Sequence, residues 1–356
     1  HCRHQHRKHH PITLNYPHCS TPYPQSQGAP RVSSSSETDS IHPMTHPRVL
    51  ITEPIATSPL EWLRTRAQVR VLDRDAPSDA DLEFAQAMVV RTYTRVDEAL
   101  LDRAPNLRVV ARAGVGLDNI DLDACRSRGI PVVHTPAANT EGVVEFVTSM
   151  MLRGLRPITT LDQPLEPARW GRFRDEAVTP RTCVGSSLGI VGMGRIGSRV
   201  ARVAESLGMR VGYHDLIEID ERSRGDAIPM DLDALARQSQ VLTIHVDGRA
   251  SNAKLFGSSF FAMLRPDVVL INAARGMVLD TDAATEFARS HPEARLILDV
   301  HDPEPIPEES ALWGLRNVIL TPHIAAGTRQ AKEAMSWVVR DVMRVLSGEA
   351  PEYPAG

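Results

Sequence analysis

The feature that most constrains this chain is one glycine-rich turn, Leu188-Gly-Ile-Val-Gly192-Met-Gly194-Arg195-Ile196-Gly197. An apolar run, Leu188–Val191, leads into it. A helical pattern leaves it, with Ile196, Val200, Val203 and Leu207 on one face and Gly208 as its stop. A second apolar run, Met209–Tyr213, follows and ends at His214-Asp215. This strand–turn–helix–strand order is what a dinucleotide requires. Gly192 permits the tight turn, Gly194 lets the backbone approach a pyrophosphate, and Gly197 lets the helix pack on the strand. The helix N-terminus presents free N–H groups and partial positive charge to the phosphates. Asp215 stands 18 residues after Gly197, placed to accept ribose hydroxyls and to repel a 2′-phosphate, which favours NAD over NADP. The plainer readings are a bare strand-to-helix turn and an exposed loop acid.

The same alternation runs through most of the chain. Strands are expected at Arg48–Ile51, Val69–Leu72, Ala87–Val90, Arg108–Ala111 and Pro131–His134, with helical stretches such as Asp97–Ala104 and Leu122–Arg128 between them. A long helix is expected from Thr140 to about Leu155, then a loop from Pro157 to Ser187. A second series has six strands: Leu188–Val191, Met209–Tyr213, Val241–Val246, Val268–Ala273, Arg295–Val300 and Val318–Thr321. A last helix spans about Thr328 to Leu346. The fold class is therefore α/β, with two doubly wound parallel sheets covered by helices.

Residues 1–43 do not share this pattern. They hold 7 of the 14 histidines among Pro, Ser and Gln, and cannot build a core. They read as a disordered upstream extension, with the working protein beginning at Met44. A histidine-rich metal tail and an organelle transit peptide are the competing readings. The net charge of −4 and 4% aromatic content speak against nucleic acid as a partner. No run of about 18 apolar residues is present, so no membrane helix is expected. Four cysteines without a CxxC pair suit a reducing, cytoplasmic setting, and no metal site is expected in the body of the chain.

Three further segments fall at ends of later strands, where open α/β sheets bind ligands. They are Ile271-Asn-Ala-Ala-Arg275-Gly276, Asp299-Val-His-Asp-Pro-Glu304-Pro305 and Thr321-Pro-His323-Ile-Ala-Ala-Gly327. Two earlier ones are Arg112-Ala-Gly114-Val115-Gly116-Leu-Asp118-Asn-Ile-Asp121 and Gly129-Ile-Pro-Val-Val-His-Thr-Pro136-Ala-Ala-Asn139-Thr140. From about residue 48 to 347 the chain resembles the D-isomer-specific 2-hydroxyacid dehydrogenases, most closely their phosphoglycerate dehydrogenase branch. The resemblance implies a Rossmann-type NAD-binding domain, 140–327, inserted in a flavodoxin-like substrate domain, 44–139 with 328–356. It implies a homodimer paired through the Thr140–Leu155 helix. It also implies roles. Arg275 would clamp the substrate carboxylate with its planar fork. His323 would be the acid/base, oriented and kept protonated by Glu304. Val115 and Gly116 would offer backbone N–H groups to the substrate. Arg195, Ile196, Asp215, Ala273, Ala274, Asp299, Ala325 and Ala326 would line the cofactor.

Arg91 and Arg112 hint at a substrate with a second anionic group, so 3-phosphoglycerate is expected ahead of glyoxylate, hydroxypyruvate or another 2-hydroxy acid; a structural ion pair is the alternative for each arginine. The regulatory domain of longer phosphoglycerate dehydrogenases is not expected. Two departures from the family pattern stand out. Asp247-Gly248-Arg249 follows the Val241–Val246 strand where a proline is usual, and His301 replaces a phenylalanine. Formate as substrate is disfavoured, because the formate enzymes carry glutamine where this chain has Glu304. An NAD-sensing corepressor on the same fold is the reading from a different class. His214 and His245 are expected to be a loop neighbour and a strand-end packing residue.

Overall fold

The computed structural model describes residues 46–355; the histidine-rich segment and its metal-tail reading lie outside them. The described residues form two parallel sheets. The first contains β1 (Arg48–Ile51), β2 (Gln68–Val71), β3 (Ala87–Val90), β4 (Val109–Arg112) and β5 (Val132–Val133). Its order is β2-β1-β3-β4-β5, the flavodoxin-like winding. The second contains β6 (Ser187–Val191), β7 (Arg210–His214), β8 (Ile228–Pro229), β9 (Val241–Ile244), β10 (Val269–Asn272), β11 (Arg295–Leu298) and β12 (Val318–Leu320). Its order is β12-β11-β10-β9-β6-β7-β8, with the Rossmann reversal beside β6.

The inner strands β3, β9 and β10 are buried at every residue, so both faces are covered. The helix Thr140–Leu155 covers one face of the larger sheet, its Val143, Val147, Met151 and Leu155 packing with Val269 and Ile271. The C-terminal segment returns to the smaller sheet, where Val339 and Val342 pack with Val109 and Ala111. Its tail is held by the buried Asp341 carboxylate, which accepts the Glu352 and Tyr353 amides at 2.8 and 2.9 Å.

Three expectations need correction. The second series has seven strands; β8 is a two-residue edge strand containing Pro229, and both its residues are exposed, so no apolar pattern marks it. The segment after Leu155 is not all loop, because Pro167–Glu176 is a helix. It buries none of its residues, so periodicity could not reveal it. The C-terminal helix is two, Arg329–Ser336 and Val339–Leu346. Ser336 Oγ bonds back to the Lys332 carbonyl at 2.6 Å and accepts the Ala56 amide at 3.0 Å. Such back-bonding bends a helix, and here the bend seats Trp337 edge-on against Trp62.

Candidate active site

The carboxyl ends of both sheets border two adjoining cavities, of about 860 and 350 Å³. Val115, Asn139, Arg275, His323 and Ala326 line both.

The larger cavity lies over the glycine turn. Gly192 has φ 94°, and a β-carbon there would lie 2.8 Å from the His245 carbonyl. A β-carbon on Gly197 would overlap the Gly192 carbonyl oxygen, so the helix Arg195–Ser206 starts hard against the turn. Around Gly194 there is open space for a ligand. Asp215 Oδ2 accepts the Met193 amide at 2.7 Å and Oδ1 the Ile217 amide at 3.2 Å. Each oxygen has a second lone pair available for a ribose hydroxyl. His245, expected only to pack, also lines this cavity, with Nε2 3.0 Å from Thr243 Oγ1 and Nδ1 buried without a partner. Burial pushes this imidazole down to about 4, so it is neutral. A glycine cradle, a helix N-terminus, an acceptor at the second strand end and an unspent ring nitrogen fit a dinucleotide.

The catalytic candidates come together where the cavities meet. His323 Nδ1 lies 3.0 Å from Glu304 Oε2, and the His301 amide donates to Glu304 Oε1 at 2.9 Å. Burial disfavours the Glu304 carboxylate, but its bonds to His323 and His301 prevail and hold it below the ordinary range. His323 occupies the left-handed region at φ 54°, rare for a residue with a side chain. Its turn is clasped by Asp299. The fully buried Asp299 carboxylate accepts Thr321 Oγ1 at 2.6 Å and the Ile324 and Ala325 amides at 2.8 Å each. Asp299 therefore borders the cofactor cavity while its oxygens hold the histidine turn. The departing residue His301 adds a brace, its Nε2 standing 2.9 Å from the Thr321 carbonyl. That carbonyl can only accept, so Nε2 carries the proton.

The smaller cavity gathers Arg91, Arg112 and Arg275 with Val115, Gly116, Glu304 and His323. Arg112 Nε is buried with no partner, and burial first, then Arg91 and Arg275, bring its guanidinium down to about 10. Arg275 donates from Nε to Asp118 Oδ2 at 2.7 Å. Every site residue named from the sequence lines one of the two cavities except Gly197, which is buried beneath the turn. Two residues were missed: Asp118, and Glu53. The buried Glu53 carboxylate accepts the amides of Arg91, Thr92, Tyr93 and Thr94 at 2.9–3.2 Å. The signal available was position, an acid just past the first strand on the ligand-binding edge.

Residues 148–325 match the family model described as D-isomer specific 2-hydroxyacid dehydrogenase, NAD binding domain. The chain belongs to the D-isomer-specific 2-hydroxyacid dehydrogenase family. It is 33% identical over 306 residues to D-3-phosphoglycerate dehydrogenase of Archaeoglobus fulgidus, matching 85% of this chain but 58% of that one. It is 32% identical to glyoxylate reductase of Aeropyrum pernix, covering 86% of this chain and 95% of the relative. A crystal structure of D-lactate dehydrogenase from Aquifex aeolicus, complexed with NAD and lactic acid, superposes with TM-score 0.72 at 26% identity, covering 85% of this chain and 96% of that one. The chain therefore spans just over half of its phosphoglycerate dehydrogenase relative and nearly all of its glyoxylate reductase relative. Among the described residues no helix is long and apolar enough to cross a membrane.

Proposed function

We propose that the chain interconverts a D-2-hydroxy acid and its 2-keto acid, and that its preferred substrate carries a second anionic group, as 3-phosphoglycerate and phosphohydroxypyruvate do. The observation that carries this is the convergence of Arg91, Arg112 and Arg275 on the 350 Å³ cavity, where burial and the two neighbouring arginines bring the Arg112 guanidinium down to about 10. A second anionic group bound among them would offset that repulsion.

Bound NAD supplies or takes the hydride at C2. The chain does the rest. Arg275 grips the carboxylate and polarises the carbonyl. The backbone of Val115 and Gly116 supports the same carboxylate. His323 gives its proton to the carbonyl oxygen in reduction and takes it from the hydroxyl in oxidation. Glu304 keeps the ring aimed and supports its positive charge. Asp215 selects NAD through the ribose. The division into a substrate domain, 44–139 with 328–356, and a nucleotide domain, 140–327, follows the two sheets.

Glyoxylate or hydroxypyruvate reduction is the second reading. It is favoured because Arg91 donates to the Pro54 carbonyl at 3.1 Å and Arg112 to the Ala113 carbonyl at 3.1 Å, so each arginine already has one structural bond. We also propose a homodimer in the cytoplasm. Leu152 on the helix Thr140–Leu155, and Ile158, Leu161, Trp170, Val178 and Val184 in the segment that follows it, are exposed apolar side chains that a second copy could cover. Cys125 and Cys183 are free thiols, as a reducing compartment requires.

The deciding experiment is NADH oxidation with phosphohydroxypyruvate, hydroxypyruvate, glyoxylate, pyruvate and 2-oxoglutarate. Preference for phosphohydroxypyruvate, reduced selectively by Arg112→Met, supports the first reading. Preference for an unphosphorylated acid supports the second. NADH binding without turnover of any of them overturns both and favours a sensor on this fold.

A further inference from the structure

The side-chain bond between Asp118 and Arg275 crosses from the loop after β4 to the loop after β10, joining the two sheets across the cleft. It is enclosed by a glycine from each side. A β-carbon on Gly116 would overlap Arg275 Nη2 and lie 2.7 Å from Asp118 Oδ2. A β-carbon on Gly248 would overlap Asp118 Oδ1 and lie 3.1 Å from Arg275 Cγ. Gly248 belongs to Asp247-Gly248-Arg249, the segment that departs from the family pattern. Asp247 closes that turn on itself, accepting Arg249 Nε at 2.7 Å and Nη2 at 2.5 Å. Arg249 is thereby held within its own turn, and Gly248 presents bare backbone to the Asp118 carboxylate.

The guanidinium of Arg275 has five N–H donors. One goes from Nε to Asp118, and one from Nη1 to the Ala274 carbonyl at 2.7 Å. Three N–H groups remain, on Nη1 and Nη2, and they include the terminal edge that can grip a two-oxygen ligand in parallel bonds. Asp118 also sets a negative charge beside three arginines that would otherwise repel one another.

We propose that Asp118 is a positioning residue that fixes Arg275 side-on, so that its terminal edge faces the substrate carboxylate, and that Gly248 exists to admit it. This rests on the assignment of Arg275 as the carboxylate clamp.

The test is a double-mutant cycle with the best keto acid of the panel, joined to oxalate binding to the enzyme–NADH complex by fluorescence. Asp118→Ala lowers kcat/KM about 30-fold and weakens oxalate, while NADH affinity and Tm hold, because small misplacements of a clamp carry large rate effects. Asp118→Asn restores the rate to within about threefold of wild type, since its amide oxygen still accepts the Nε–H bond. In an Arg275→Ala background Asp118→Ala adds nothing, as it acts only through the arginine. Gly248→Ala, which leaves both residues present, costs about tenfold in the wild-type background and nothing in Arg275→Ala; it serves if Asp118→Ala does not fold. Wild-type kinetics for Asp118→Ala, an equal loss in both backgrounds, or no recovery in Asp118→Asn overturns the proposal. Wild-type kinetics for Arg275→Ala instead overturns the clamp assignment beneath it.

Discussion

Glu304 touches His323 with one carboxylate oxygen, at 3.0 Å from Nδ1, and holds the His301 amide with the other. One bond orients the imidazole while the second fixes the carboxylate. Reduction needs a protonated histidine, so the negative charge matters beyond geometry. Glu304→Gln keeps the size and a hydrogen bond but removes the charge. The kcat/KM for keto-acid reduction should fall about tenfold while NADH affinity holds. An unchanged kcat/KM would show that the charge of Glu304 plays no part.

His323 and Arg275 separate by kinetic signature. His323→Ala should cut kcat about 10²- to 10⁴-fold with little change in KM. Arg275→Ala should raise KM and lower kcat together, because the clamp acts on ground and transition states. Steady-state kinetics with saturating NADH decides. Wild-type rates in both variants would mean that the reaction takes place elsewhere.

Asp299 couples stability to turnover. Its buried carboxylate serves three donors of the turn that carries His323 at a positive φ. Asp299→Ala leaves those donors unpaired and lets the strained turn relax. A loss of about 3 kcal/mol in stability is expected, with at least a tenfold fall in kcat. Thermal unfolding read beside kcat is the check. Full turnover at a lowered Tm would show the turn holding without its clasp.

His245 predicts a pH dependence of stability. Burial drives its folded-state value to about 4, against 6.5 ordinarily. The unfolded chain therefore takes up a proton first as pH falls. Stability is full above about pH 6.5 and is lost progressively down to about pH 4, a span worth about 3 kcal/mol. Urea midpoints at pH 7 and pH 4.5 should drop less for His245→Gln than for wild type. Equal drops would mean the ring protonates freely in the native state.

Much of this site was legible before the structure. The glycine turn, Arg275, Glu304 and His323 all stand at strand ends, where apolar runs give way to polar residues, and that change is visible in one dimension. The sheet orders could not be read from periodicity; they came from the family resemblance. The helix Pro167–Glu176 was invisible because it buries nothing. Asp118 shows no role in one dimension, because its partner lies 157 positions away. The use of Gly248 was hidden for the same reason: its neighbour comes from the other sheet. His245 looked like packing because an unspent ring nitrogen shows only when its surroundings are counted.

Glu53 wraps the loop after β3 around a carboxylate that belongs to the protein, binding four consecutive amides. The shape of that loop is thus set from beneath, independently of the side chains on its upper side. Arg91 and Thr92, which line the smaller cavity, ride on a backbone held through its own amides. Substitution at these two positions would therefore reshape the smaller cavity while the frame of the loop stays folded.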